Sequence, residues 1–155
     1  MITAPHFHAM VIHFPIALLM VGFLSEIIGV ISKKQFFKNA SLYLLVLGAL
    51  GAIVAYLSGD AAGDGMTDGF LQKPIGMHEE AALVTLWMAI GLALLKSAMY
   101  YFNYHKTWTQ WTSLLLFALL VGSVARTAYL GGELVFKHGA GIELALPDFG
   151  DPSTE

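Results

Sequence analysis

Histidine is the residue type in this chain with the most chemistry to offer, because imidazole ligates haem iron, zinc and copper and exchanges protons near neutral pH. Five of the six histidines stand at or near the starts or ends of long apolar runs, namely His6, His8, His13, His78 and His138. His13 lies within an apolar stretch about five residues, or ~7 Å, beyond His8, where an ionisable side chain is costly and usually functional. The sixth, His105, falls in a short polar turn and receives no role.

The absence of cysteine narrows the chemistry further. Without thiolates the chain forms no disulfide, iron–sulfur cluster or covalent c-type haem attachment, so any cofactor is held non-covalently. No serine, threonine or lysine stands beside a candidate base in a recognisable motif, which gives no support to hydrolytic or nucleophilic catalysis. We therefore expect an electron-transfer protein or a subunit rather than a stand-alone enzyme.

Two charged residues fall deep inside apolar runs, Glu26 in the first and Arg126 in the fourth. Counting along helices from His13 and His138 places both about 20 Å deeper. We predict that they pair, because attraction offsets the cost of an ion in hydrocarbon only when both partners are present. The pair would clamp the first helix to the fourth; alternatively it belongs to a proton path, or Arg126 balances the charge of a cofactor.

Four long apolar runs are the elements that must position these residues. They cover about residues 7–32, 40–58, 74–100 and 108–136, and each approaches or exceeds the ~20 residues that a helix needs to cross a bilayer. The chain is 57% hydrophobic and only 12% charged, unlike a water-soluble domain. We predict an all-α integral membrane four-helix bundle that forms a single domain over residues 1–155 and contacts membrane lipid.

Charge divides unevenly between the two ends of the predicted bundle. Lysines lie in or near the first and third connections, at Lys33, Lys34, Lys38, Lys96 and Lys106, whereas ten of the eleven acids belong to the other end. By the positive-inside rule the lysine end is cytoplasmic. Short connections favour an antiparallel bundle with both termini and an irregular tail, residues 139–155, on the periplasmic side of a bacterial inner membrane. No basic cluster interleaved with aromatics indicates nucleic-acid binding.

A flat tetrapyrrole in a helical bundle needs two facing imidazoles and small residues where the backbones separate. Small residues, which also serve simple helix packing, align on one face of the second helix at Gly48, Ala52, Ala55 and Gly59. We predict haem b held near the outward face by His13 and His78, on diagonal helices, with His138 and His8 as alternative or additional ligands for one or two haems. Iron with two histidine ligands has no open position, so the predicted function is electron transfer.

Two other interpretations use the same residues. One is a non-haem site for zinc, copper or iron, in which carboxylates support the histidines, from Asp60, Glu79, Glu80 or Glu133. His8 and His13 point about 140° apart on an ideal helix, so they share a metal only if Pro15 breaks the helix; we expect Pro15 to kink a helix that begins near Pro5. The other is a cofactor-free subunit of a membrane complex or a transporter component, whose outward face docks a partner.

Two motifs frame the chain. HAMVIHFPIALL spans His8 to Leu19 and is followed by Glu26, and GGELVFKHGAG spans Gly131 to Gly141. They resemble the signatures H-P-x-x-V-H-F-P-I-A-L-L, with a following acid, and G-G-x-L-V-Y-x-H-G-x-G of the bacterial membrane family named domain of unknown function 2231. The segment SGD at 58–60 and His78 resemble that family's middle marks, so the resemblance covers essentially the whole chain.

Two positions depart from the family pattern. Ala9 replaces the usual proline after His8, which loosens the geometry inferred for that histidine, and Phe136 replaces a common tyrosine. The resemblance implies a redox setting, because members are joined or adjacent to Rieske, cytochrome c or rhodanese-like modules. It thereby implies b-type haem or another redox metal, with a periplasmic redox protein or a larger respiratory or photosynthetic complex as partner.

Overall fold

The computed structural model describes residues 2–64, 69–104 and 106–142, and all regular structure within them is helical. The helices are α1 Ala4–Val11, α2 His13–Ser32, α3 Gln35–Gly63, α4 Gln72–Tyr101 and α5 Thr107–Phe136, with one 3₁₀ turn at Gly69–Leu71 before α4. His105 and residues 143–155 of the predicted tail lie outside the described residues. The tail residues 139–142 follow α5 as a turn.

Four helical segments of the described chain are long and apolar enough to cross a membrane: Ala4–Ser32, which contains α1 and α2, then Gln35–Gly63, Gly69–Tyr101 and Thr107–Phe136. The shortest of these spans has 29 residues, about 43 Å of helix, which exceeds the ~30 Å of hydrocarbon in a bilayer. The predicted all-α class with four potential membrane spans is confirmed. The helices extend beyond the predicted apolar runs and include polar residues at their ends.

The first span is interrupted at Ile12, between α1 and α2. Pro15 follows three residues later; it has no N–H to donate to the carbonyl of Val11, and its ring crowds that carbonyl. Pro15 is buried against Gly51 of α3, where an added Cβ would lie 3.3 Å from the Pro15 Cβ. The helix therefore begins well before His13, as expected. At the interruption Ile12 keeps helical dihedrals, its N–H donates to the His8 carbonyl, and its carbonyl accepts from Ile16, so the span continues through this point.

The four spans pack as a closed ring. α3 contacts α1 and α2 on one side and α4 on the other, and α5 contacts both α4 and α2. The first span is therefore diagonal to α4. The centre is filled by apolar side chains from all four spans, Leu19, Leu45, Ala89, Phe117 and Leu120. Gly48 makes room for this packing, because a Cβ there would lie 2.7 Å from Leu19 Cδ2.

Candidate cofactor site and buried ion pair

His8, on α1, is half-buried against α3 and is held through one ring nitrogen. Its Nδ1 lies 2.9 Å from Ser58 Oγ. The Ser58 hydroxyl donates its single hydrogen to the Ala55 carbonyl at 2.9 Å, so it accepts from His8, and Nδ1 of His8 carries the proton. The lone pair of the neutral imidazole is then on Nε2, the atom that ligates a metal in this tautomer.

His78, on α4, is held in the same way from the opposite corner of the ring. Its Nδ1 lies 3.1 Å from the carbonyl oxygen of Thr127 on α5. A carbonyl only accepts, so Nδ1 of His78 is protonated and Nε2 carries the lone pair. The structure gives each ring one side-chain hydrogen bond, and it is made through Nδ1. Neither Nε2 has such a partner among the described residues.

Each of these rings packs against a glycine of the neighbouring helix. A Cβ on Gly59 would lie 2.9 Å from Cε1 of His8, and a Cβ on Gly131 would lie 3.0 Å from Cε1 of His78. A side chain at Gly59 would require the His8 ring to shift, and one at Gly131 would require the His78 ring to yield by a few tenths of an ångström. Close-packed interiors make such shifts costly. We call His8, Ser58, Gly59, His78, Thr127 and Gly131 the histidine layer.

Hydroxyl groups support the Thr127 side of the histidine layer. Thr85 of α4 is buried, and its Oγ1 lies 2.6 Å from Ser123 Oγ and 2.9 Å from Thr127 Oγ1. These contacts tie α4 to the stretch of α5 whose carbonyl receives His78. The position of the acceptor is therefore set by packing between two helices rather than by a loop.

The predicted ligand His13 does not join His78. Its side chain is exposed, and so is that of His6, whereas His8 is the first-span histidine that the fold turns inward. The reason is angular: five residues rotate a helix by about 140°, and the interruption at Ile12 does not cancel that rotation. His8 and His78, rather than His13, are therefore the half-buried, hydrogen-bonded imidazoles of these diagonal spans. Which histidines bind a cofactor stays a prediction.

His138 also lies away from the histidine layer. Phe136, where α5 ends, is about 13 Å beyond Thr127 and about 7 Å beyond Gly131 along the helix. His138 follows it beside Lys73, Met77 and Glu133. Glu133 is ion-paired with Lys137 and raises the pKa of that lysine through a hydrogen bond, and it also accepts from Tyr129 at 2.8 Å. Its carboxylate is therefore already engaged.

The described residues contain no cluster of three or more histidine, aspartate or glutamate side chains placed to hold a metal ion. The carboxylates expected to complete a non-haem site do not gather around the imidazoles: Asp60, Glu79 and Glu80 are exposed. The fold instead holds two imidazoles, those of His8 and His78, each through a hydrogen bond at Nδ1.

A second polar cluster lies at the other end of the bundle, around Glu26. Lys96 Nζ lies 2.5 Å from Glu26 Oε2 and 3.1 Å from Ser41 Oγ, and Ser113 donates to Glu26 Oε1 at 2.9 Å. The side chains of Lys96 and Glu26 are only 11% and 8% exposed. The cluster joins α2, α3, α4 and α5, and both ions are neutralised and hydrogen-bonded.

The predicted partner of Glu26, Arg126, is exposed and is not part of this cluster. Arg126 precedes Thr127 and is therefore level with the histidine layer, whereas Glu26 lies about 27 Å along the first span from His8. The prediction failed because it counted depth from His138, which lies beyond the end of α5. Glu26 pairs instead with Lys96, which the sequence interpretation had left near a polar connection.

The sequence interpretation also missed the residues that hold the histidines and the ion pair. Ser58 was noted only as part of a motif, Thr127 acts through its backbone, and Ser41 and Ser113 have no pattern of their own. Lys96 carried one usable signal: it lies five residues inside the end of a helix that runs to Tyr101, deeper than a connection residue needs to be.

The apolar core separates the two polar clusters. Leu19 lies between His8 and Glu26 in the first span, and Ala89 lies between His78 and Lys96 in α4; both are almost fully buried. Phe117 and Leu120 close the same level from α5. The histidine layer and the ion pair are therefore independent sites at opposite ends of one bundle.

Residues 4–144 match the sequence model of the family described as "Predicted membrane protein (DUF2231)". The chain belongs to this family. Within the matched range lie His8, Pro15 and Glu26 of the first span, and Gly131, against which His78 packs. The comparison found no significant match to a curated protein or to a solved structure.

Proposed function

We propose that this protein is a membrane b-type cytochrome-like protein that transfers electrons, and that Nε2 of His8 and Nε2 of His78 would ligate its haem. The observation that carries the proposal is the matched anchoring of the two imidazoles. Both donate through Nδ1, to Ser58 and to the Thr127 carbonyl, which leaves both Nε2 lone pairs free. Histidines that bind metals are oriented in this way by the residues around them.

The donor set fits haem better than a metal ion held by protein alone. Haem iron already has four equatorial ligands and takes two more from the protein, whereas protein-only zinc sites use three or four. Two imidazoles from diagonal spans match the first requirement, and the lack of cysteine is consistent with non-covalent binding. When bound, such a haem supplies a one-electron redox couple, and its filled axial positions favour electron transfer over oxygen chemistry.

The chain's own residues would set the properties of that couple. Thr127 presents a carbonyl to His78, and Ser58 presents a hydroxyl to His8. The two Nδ1 hydrogen bonds therefore differ in strength, and with them the basicity of each Nε2. Gly59 and Gly131 let the rings lie against the neighbouring helices. The apolar core keeps water out from the side of the ion pair.

The proposal extends to topology and partner. The spans would run antiparallel in a bacterial inner membrane, with the histidine layer near the periplasmic face, because the lysines gather at the opposite end. Electrons would pass to or from a periplasmic redox protein or a larger respiratory or photosynthetic complex. The support for this step is the family resemblance together with the position of the layer near one end of the bundle.

The test is a reduced-minus-oxidised visible spectrum of the detergent-purified protein made with ample haem, with pyridine extraction to count haem per chain. We expect a b-type spectrum that is lost in His8→Ala and in His78→Ala. His13→Ala is the matched control, since it removes an exposed imidazole five residues away, and it should retain full haem content.

A colourless wild-type protein would overturn the proposal. Elemental analysis of that preparation would then distinguish bound zinc, copper or iron from a cofactor-free subunit or transporter component. If His8→Ala kept full haem content and His13→Ala lost it, the ligand from the first span would be His13. The pair His8 and His78 would then be rejected.

A further inference from the structure

A cavity of about 160 Å³ opens beside the buried ion pair. Its walls include Glu26, Gln35, Lys38, Lys96, Tyr100 and Ser113, so it is built from α2, α3, α4 and α5. It is independent of the histidine layer, from which the apolar core separates it. No feature of the proposed redox function uses it.

The cavity has an excess of positive charge. Glu26 and Lys96 neutralise one another, which leaves Lys38 as a cation that makes no ion pair with any residue the structure describes. Lys38 is half-buried, and its stem lies over Gly29, where a Cβ would be 3.2 Å from Lys38 Cγ. The lysine is therefore held at the cavity wall rather than extended into solvent.

The helix lengths place the cavity at the depth expected for lipid headgroups. Lys38 is three residues inside the start of the span Gln35–Gly63, about 4.5 Å along the helix, and Tyr100 is next to the end of α4. Headgroup regions occupy about 5–7 Å on each side of the hydrocarbon. Exposed Trp108 and Trp111 near the start of α5 mark the same interface, where tryptophan is enriched.

The size of the cavity limits what can enter. Its volume equals about five water molecules at ~30 Å³ each, far below the ~300 Å³ and more of pockets for drug-sized ligands. A phosphate group has five heavy atoms and fits this space, while the rest of a lipid would extend outside. The net positive charge of this end of the bundle would also attract an anion. It has five lysines and one carboxylate, that of Glu26; the lysines are Lys33, Lys34, Lys38, Lys96 and Lys106.

We propose that this cavity binds the phosphate of an anionic phospholipid, with Lys38 as the main cation and with Gln35 and Tyr100 beside it. Phospholipid is the source the observations favour, since the cavity is at headgroup depth in a chain whose spans are built for a membrane. Basic pockets between transmembrane helices are recognised sites for anionic lipid headgroups. The site would discriminate by charge, and so take phosphatidylglycerol in preference to phosphatidylcholine.

The test is native mass spectrometry of the detergent-purified protein titrated with phosphatidylglycerol or with phosphatidylcholine. We expect one tightly retained phosphatidylglycerol and weaker phosphatidylcholine. Lys38→Ala should lower the affinity for phosphatidylglycerol at least about fivefold, the effect of ~1 kcal/mol per lysine, and Lys38→Arg should keep most of it. Lys34→Ala is the matched control, because it removes an exposed lysine of the same end that is outside the cavity.

Equal affinity for the two lipids, or equal losses in Lys38→Ala and Lys34→Ala, would overturn the proposal. Stabilisation of the protein by inorganic phosphate to the same extent as by phosphatidylglycerol, measured by thermal unfolding, would show a soluble anion as the source and overturn the lipid assignment. All these variants should keep the spectrum and haem content of the wild type, so the outcome is separate from that of the redox proposal.

Discussion

The positions of the His8 and His78 rings depend on the absence of a side chain at Gly59 and Gly131. Imidazole rings are flat and wide, and His8 and His78 occupy space that a methyl group on Gly59 or Gly131 would fill. Gly48, on the same helix as Gly59, receives Leu19 instead. One stripe of small residues thus serves both apolar packing and the placement of a chemically active ring, which is why the stripe alone did not identify the site.

Alanine at either glycine should displace the adjacent ring. In Gly59→Ala and in Gly131→Ala we expect haem content per chain to fall several-fold. The new Cβ would lie 2.9 Å from Cε1 of His8 or 3.0 Å from Cε1 of His78, and overpacking shifts the ring away from the position that its Nδ1 hydrogen bond holds. The measurement is pyridine extraction of each purified variant, accompanied by far-ultraviolet circular dichroism to show that the helices persist.

Two alanine variants serve as controls for those glycines. A Cβ on Gly63 of α3 meets only Ile75 at 3.7 Å, and one on Gly122 of α5 meets nothing within 4 Å. Gly63→Ala and Gly122→Ala should keep the wild-type haem content, with stability unchanged or raised by up to ~1 kcal/mol from better helix propensity. If all four variants bind haem alike, the glycines have no part in cofactor binding.

At the scale of the helices, the ion pair of Glu26 and Lys96 joins α2 to the diagonal α4. Its hydrogen bonds to Ser41 and Ser113 add α3 and α5, so all four spans meet at one polar point. Removing one partner leaves an unpaired charge in a buried position, which costs about 3–5 kcal/mol. We expect Glu26→Gln or Lys96→Met to destabilise the bundle by that amount in thermal or denaturant unfolding in detergent.

The double variant isolates the pairing. Glu26→Gln combined with Lys96→Met removes both charges, and should recover most of the stability lost in either single variant, since neutral groups of similar size are tolerated where an ion pair stood. Arg126→Gln is the control, because the exposed Arg126 lies outside the cluster. A double variant that loses the sum of the two single effects would show that the residues act separately.

The four helices could be predicted from the sequence because bilayer thickness sets the length of an apolar membrane span. That length does not depend on how the helices pack. The sequence also placed His8 and His78 at one end of the bundle. It could not place His8 rather than His13 against α3, since that depends on which face of the first span meets α3. Nor could it pair Glu26 with Lys96, because the relative depth of two helices is set by side-chain packing and not by hydropathy.

Across the whole molecule the two ends differ in chemistry, with imidazoles and acids at one and lysines at the other. The apolar core between them keeps the histidine layer and the lysine-rich cavity apart. We predict the orientation from the charge of the connections, because lysine-rich connections are usually cytoplasmic.

Orientation is directly testable because the chain contains no cysteine, so a single introduced thiol is the one site on this protein that a membrane-impermeant maleimide labels. Lys34, between α2 and α3, and Asp64, just after α3, are both exposed. In bacterial spheroplasts we expect Asp64→Cys to be labelled while the membrane is intact, and Lys34→Cys to be labelled only after lysis, with the unmodified protein as the blank. The reverse pattern would place the histidine layer near the cytoplasm and require a cytoplasmic redox partner. Labelling of both thiols from one side would contradict a membrane crossing by α3, which lies between them.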